Sequence, residues 1–239
     1  MDDGRIHGAV APGGQLKRQD KNPAPLLFTG PALRADWPWG PLEPSGYGLI
    51  MIDPPWHFRL YSEAGAEKSP QAQYRTMGLE AIAALPVSEL AAEHAVIWMW
   101  ATAPMLDQQI GLVARWGFRL ATTGVWVKTT VNGKLAFGTG YVLRNAHEPF
   151  VLGIRGEPRL SRSVRSVVMG EVREHSAKPE AAYVAAEALF PGAGRRVELF
   201  SRRSRPGWEA WGDEAGKYDT GASGADTAPA LATSEGEGT

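Results

Sequence analysis

Tyr47-Gly48-Leu49-Ile50-Met51-Ile52-Asp53-Pro54-Pro55-Trp56 is an apolar run that stops abruptly at an acid, two prolines and an indole. Leu49 to Ile52 are all apolar, as expected of a strand buried on both faces of an α/β sheet. The strand cannot continue through Pro54-Pro55, because neither residue has a backbone N–H to give to a sheet ladder. Asp53 is therefore expected at a strand's carboxyl end, where open α/β sheets place their ligands. Working outward, strand patterns follow at Ala95–Trp100, Gly124–Lys128, Glu148–Ile154, Val164–Val172 and Arg196–Phe200. Helical patterns lie between them: Leu79–Leu85, a short helix opening at Ser88 as N-cap, Pro104–Trp116, and Pro179–Phe190 with Pro179 in its first turn. This alternation predicts an α/β fold, a mostly parallel sheet with helices on both faces.

The residues that end the first strand suit capture of a planar amino group. An exocyclic NH2 offers two hydrogens and needs two acceptors. The Asp53 carboxylate can take one, and the Pro54 carbonyl, held still by the Pro55 ring, can take the other. Trp56 can supply a face for a flat base, a contact worth about 1–3 kcal/mol in single-strand binders. Two acceptors localise the nitrogen lone pair, and alignment of the reactants can save roughly 7–11 kcal/mol of barrier. The alternative is a proline turn in which Asp53 caps a helix and Trp56 joins the core.

The 239 residues suffice for one α/β domain with ragged ends, and the net charge is −1. Charge is unevenly spread. From Arg155 to Arg205 there are eleven Lys/Arg against six Asp/Glu, and from Asp213 onward six acids and one Lys. A basic segment before an acidic tail is compatible with nucleic-acid binding and equally with a solvated surface. The absence of cysteine excludes disulfides, thiolate catalysis and Cys-ligated zinc. His7, His57, His94, His147 and His175 show no ligand spacing, so no metal is expected. No apolar run reaches ~18 residues and no signal pattern opens the chain, which leads to an expectation of a cytoplasmic protein.

Composition divides the chain into a flexible extension over residues 1–40, a domain over 41–214, and a disordered Gly/Ala/Ser/Thr-rich acidic tail over 215–239. Trp37 and Trp39 are candidates to pack on the domain. The polar stretch His57–Gln73 is long enough to suggest a substrate-gripping or lid loop, and Asn132–Gly140, with three glycines, reads as a mobile loop.

A second constellation is His175-Ser176-Ala177-Lys178-Pro179-Glu180. It opens a helix, so Lys178 and the free amides would form a receptor for a carboxylate; a solvated Lys is the bland alternative. Downstream, Arg196-Val197-Glu198-Leu199-Phe200 places an acid near a strand's end, suited to ribose hydroxyls. No G-x-G-x-x-G occurs, which weighs against a nicotinamide enzyme. Ser201-Arg202-Arg203-Ser204-Arg205-Pro206-Gly207-Trp208 is the densest basic patch, and Trp208 and Trp211 read as core closure.

Asp53-Pro54-Pro55-Trp56, Tyr74-x-Thr76-Met77, Trp126-Val127-Lys128, Arg144-Asn145-Ala146-His147-Glu148, His175-x-x-Lys178-Pro179, Glu198-Leu199-Phe200 and Trp208-x-x-Trp211-Gly212 fall in one order. In that combination, over roughly Gly46 to Glu214, the chain resembles the adenine-N6 methyltransferases related to the catalytic subunit of the eukaryotic mRNA methyltransferase. It looks most like their short bacterial and phage members. The resemblance implies a Rossmann-like fold, S-adenosylmethionine as methyl donor, and nucleic acid as partner, DNA favoured over RNA. It implies that Asp53, Pro54, Pro55 and Trp56 form the catalytic pocket. Lys178 would bind the methionine carboxylate of the cofactor, Glu198 and Arg202 would face its ribose, and Asp213 and Glu214 its adenine or ribose edge. Tyr74, Arg144 and Glu148, with Trp56, fall to the substrate. Asp213-Glu214 stands where eukaryotic members carry Asn-Gln, and Ser204-Arg205 where they carry His-Asn, which leaves the sugar and base contacts open. Cytosine-N4 methylation and a catalytically silent nucleic-acid-binding relative remain the competing readings.

Overall fold

The computed structural model describes residues 37–57, 76–140, 142–173 and 177–219. Seven strands form one sheet: β1 (Tyr47–Ile52), β2 (Ala91–Trp100), β3 (Arg119–Thr129), β4 (His147–Arg155), β5 (Val167–Glu171), β6 (Arg195–Leu199) and β7 (Glu209–Trp211). Their order across the sheet is β5-β3-β4-β2-β1-β6-β7. β1 runs parallel to both β2 and β6, β6 parallel to β7, and β3 parallel to β5. β4 alone is reversed, antiparallel to β2 and β3. The helices are α1 (Leu79–Ala83), α2 (Val87–Leu90), α3 (Leu106–Arg115) and α4 (Glu180–Leu189).

All six residues of β1 are buried, because both faces of the sheet are covered. Alternate residues serve opposite cores. Ile50, Ile52, Ile97 and Met99 pack with Leu112, Val113 and Trp116 from α3 and its exit. Leu49, Met51, Val96, Trp98 and Trp100 pack with Ala182, Tyr183 and Ala186 of α4. This is the Rossmann-like α/β arrangement with a helix layer on each face.

Several local expectations shift. Ser88 lies inside α2, whose N-cap is Pro86. Pro179 is the N-cap of α4, in an extended conformation, rather than a residue of its first turn. Pro104 sits in one turn of 3-10 helix, Ala103–Met105, that leads into α3. Gly117 ends α3 at φ +78°, a conformation that favours glycine. The Asn132–Gly140 segment is hydrogen-bonded back to the sheet, with Thr130 N–H donating to Lys134 O and Ala136 N–H to Lys128 O. Trp39 is fully buried, and its ring meets Trp211 edge-on.

Candidate active site

β1 ends where its hydrogen bonds do. Asp53 N–H still donates to Leu199 O of β6, at 3.3 Å. Pro54 and Pro55 then turn the chain, and Trp56 N–H closes on Pro54 O at 2.8 Å. Met77 clips the turn from the far side, its N–H donating to Pro55 O while its carbonyl accepts His57 N–H. Pro54 therefore holds one hydrogen bond already and has one lone pair left for another donor. Trp56 is buried in the α3-side core and does not line the cavity beside Asp53.

That cavity, about 270 Å³, is lined by Asp53, Lys178, Glu198 and Arg202 among others. Lys178 is its centre of charge. Its ammonium lies 2.9 Å from Asp53 Oδ2 and 2.7 Å from Glu148 Oε1, with only 7% of its side chain exposed. Glu148 also holds Lys128, at 2.9 Å. The order Lys128–Glu148–Lys178–Asp53 thus alternates in sign and is neutral in sum. Trp100 and Trp126 lie under the two ammonium groups, at 5.2 and 4.8 Å.

Local packing puts Lys178 there. A Cβ on Gly170 of β5 would come within 2.5 Å of Pro179, so only glycine lets Pro179 seat against that strand. The Gly170 carbonyl in turn accepts Trp126 Nε1–H at 2.9 Å. Glu148 arrives because β4 is reversed, so that its beginning lies where the parallel strands end. Trp126 and Glu148 are register partners there.

Burial pushes the Asp53 carboxyl above the ordinary carboxylate value; Lys178 pulls it back only in part, and Glu148 pushes it further up. For Glu148, burial is outweighed by Lys178 and Lys128, which hold it below the ordinary value. Burial alone would lower Lys178, but the two carboxylates raise it above an ordinary lysine, so it stays charged. Two acids thus share one cation unequally, and Asp53 is the less satisfied.

Glu198, which also lines the cavity, accepts Tyr183 OH at 2.7 Å and Ser201 OH at 3.0 Å. Burial raises its carboxyl despite those bonds, and raises the Tyr183 hydroxyl too. Arg205 lies 3.6 Å from the Tyr183 ring centre and pairs with Glu180.

The structure therefore brings Asp53, Lys178, Glu148, Glu198 and Arg202 to one region. Asp213 and Glu214 do not line the cavity; Glu214 pairs with Lys217. Arg144 is exposed, its guanidinium 5.4 Å from the Phe137 ring centre. Tyr74, His175 and the expected loop from Phe58 to Gln73 lie outside the described residues. Lys128, Tyr183 and Gly170 carry no assignment from sequence. Lys128 was visible as the charged end of an apolar strand, whereas Gly170 and Tyr183 give no local signal. Among the described residues there is no metal-ligating cluster and no helix long and apolar enough to cross a membrane.

A family model described as MT-A70 matches residues 47–214. A type II methyltransferase, M.MunI, from Mycoplasma sp is 31% identical over 186 residues, which cover 70% of this chain and 77% of that protein. A putative N(6)-adenosine-methyltransferase MT-A70-like protein from Medicago truncatula is 31% identical over 173 residues, 70% of this chain and 26% of the relative. The mouse N(6)-adenine-specific methyltransferase METTL4 is 26% identical over 187 residues, 72% and 38% respectively. The chain spans about a quarter of the length of the plant relatives it matches.

Proposed function

The chain belongs to the MT-A70 family of N6-adenine methyltransferases, and on that premise we propose that it is itself an S-adenosylmethionine-dependent enzyme methylating the N6 amino group of adenine in nucleic acid. One observation carries this reading: Asp53 stands at the open carboxyl end of β1, on a cavity wall, 2.9 Å from a buried lysine. DNA is favoured over RNA as the acceptor, because the type II methyltransferase M.MunI is matched over 77% of its own length, against about a quarter for the plant adenosine methyltransferases.

The donor set of the cavity fits the cofactor. The third N–H of Lys178 and the Arg173 guanidinium suit the methionine carboxylate, Asp53 suits its ammonium, and the spare lone pairs of Glu198 suit ribose hydroxyls. The volume, about 270 Å³, lies just below the roughly 300–1,000 Å³ typical of small-molecule sites. When bound, the cofactor supplies an electrophilic methyl on a sulfonium.

The chain's own groups orient the acceptor. Asp53 takes one hydrogen of the adenine amine and the free lone pair of Pro54 O the other, which localises the nitrogen lone pair for in-line attack. Lys178, fixed by Glu148, keeps the Asp53 carboxylate from turning away. Asp53 need not remove a proton before attack, since the alkylated ammonium is acidic enough to lose one afterward. A duplex acceptor would have to extrude its base, at a cost of a few kcal/mol. Trp56 acts in this account by anchoring the turn that aims Asp53.

The test is transfer of labelled methyl from the cofactor to DNA and RNA oligonucleotides, followed by digestion to nucleosides. N6-methyl-2′-deoxyadenosine is expected. Label on RNA alone would move the acceptor, label on cytosine N4 would change the amine, and no label on any acceptor would leave a nucleic-acid-binding relative.

A further inference from the structure

Composition assigns everything after Glu214 to a tail, yet Gly212–Asp219 folds back onto the basic turn that follows β6. The strap is a chain of tight turns: Ala215 N–H donates to Gly212 O, Lys217 N–H to Glu214 O, and Asp219 N–H to Gly216 O. Gly216 sits at φ +77°, where side chains are strained, so the strap's sharpest bend depends on glycine. Two bonds sew it down. Tyr218 N–H donates to Arg202 O at 3.2 Å, and Asp219 Oδ1 accepts Ser204 N–H at 2.7 Å.

The result is that Tyr218 lines the same cavity as Asp53, Lys178 and Glu198. It belongs to neither hydrophobic core. Three cations surround its ring: the Lys217 ammonium lies 5.5 Å from the ring centre, and the Arg202 and Arg203 guanidinium carbons each lie 5.9 Å away, within the limit of about 6 Å for a cation–π contact. Backbone bonds thus fix a large aromatic ring, outside both cores, on the wall of the cavity, where it adds a flat π surface to the lining. Lys178, Asp53, Glu198, the Arg202–Pro206 turn and Tyr218 line this one cavity together. For a nucleoside with its charged end at Lys178 and its ribose at Glu198, Tyr218 is one of the flat side chains of the lining that its purine could meet.

We propose that Tyr218 is a stacking residue of the cofactor site, taking one face of the donor's adenine, and that Asp219 and Gly216 are positioning residues that hold it there. This rests on the methyltransferase reading. It also accounts for a site without an Asn-Gln pair after Gly212: the base is gripped by its face rather than by its edge.

Calorimetric binding of S-adenosylhomocysteine to the full chain tests it. Tyr218→Ala should weaken binding by about tenfold or more, the loss expected for one stacked base, while Tyr218→Phe stays within about twofold of the parent. Tyr218→Leu, which keeps apolar bulk without a flat π face, should bind as weakly as Tyr218→Ala. Asp219→Ala should weaken binding in the same direction, and the thermal midpoint without ligand should be unchanged in all four. If the parent chain binds and Tyr218→Ala or Tyr218→Leu binds equally well, the stacking role is wrong and the methyltransferase reading stands. If the parent chain does not bind S-adenosylhomocysteine, both fall together.

Discussion

β1 carries a charge cluster at each end, and the two are built for different purposes. At its start, Arg195 of β6 grips Glu209 with two nitrogens, at 2.8 and 2.9 Å, while Tyr47 OH donates to the same carboxylate and Glu43 closes the group. Arg195 and Glu209 keep 38% and 39% of their side chains exposed. Every acid there finds a cation or hydroxyl, and Glu209 sits below its ordinary value, held first by the Arg195 hydrogen bonds. At the other end one cation, Lys178, is divided between Asp53 and Glu148 in a largely dry site. The first arrangement ties strands together. The second leaves Asp53 above its ordinary value, which costs stability and leaves a carboxylate wanting a donor.

The largest effect should come from removing the shared cation. Lys178→Met leaves two buried carboxylates facing each other, so unfolding free energy should fall by about 3–5 kcal/mol at neutral pH. The loss should shrink as pH is lowered and the acids protonate, which denaturation at two pH values would measure. Equal loss at both pH values would mean Lys178 acts by packing alone.

Asp53→Asn should behave in the opposite way. Because the folded Asp53 value is raised, its favourable contribution to stability is complete below the unfolded value and is lost as pH rises through the folded one. At neutral pH the Asn variant should therefore be as stable as the parent or more stable by about 1 kcal/mol, a trade of stability against function. A clearly lower melting point would make Asp53 a structural residue.

The same sign sets the pH profile. If Asp53 takes the amine hydrogen as proposed, turnover requires its ionised form, and kcat/KM should rise with pH through a value above the ordinary carboxylate range. Glu148, held low, should remain ionised across that limb. An acid limb at the ordinary Asp value would remove the distinction between the two ends of β1.

The smallest effect belongs to the exposed cluster. Arg195→Ala should cost no more than about 1 kcal/mol and lose that cost in high salt, with methyl transfer unchanged. A loss of activity there would show that the two ends are coupled.

Much of this comparison was legible in the residues, and the limits have physical reasons. Leu49–Ile52 followed by two prolines located both β1 and the acid at its end, because proline has no ladder donor to offer. Lys178 was legible as a helix-entry cation. Its pairing with Glu148 was not, since an apolar run such as Phe150–Ile154 looks the same whichever way the strand runs, and only the reversal of β4 brings Glu148 beside Lys178. Trp56 carries no mark of which way its ring faces, and the structure buries it. β7 escaped notice because three residues after a Pro-Gly turn make no period. Tyr218 was hidden by a polar, Gly-rich neighbourhood whose order comes from backbone bonds rather than from apolar contacts.

The central claim is that the Asp53 carboxylate, rather than the fold around it, is what the dry end of β1 exists to present. It is tested most directly by the single-turnover rate of methyl transfer to an adenine-containing oligonucleotide by Asp53→Asn at saturating cofactor. The account predicts a fall of about 10³-fold, comparable with losing one preorganised polar contact to a transition state. A rate within about tenfold of the parent chain would contradict it.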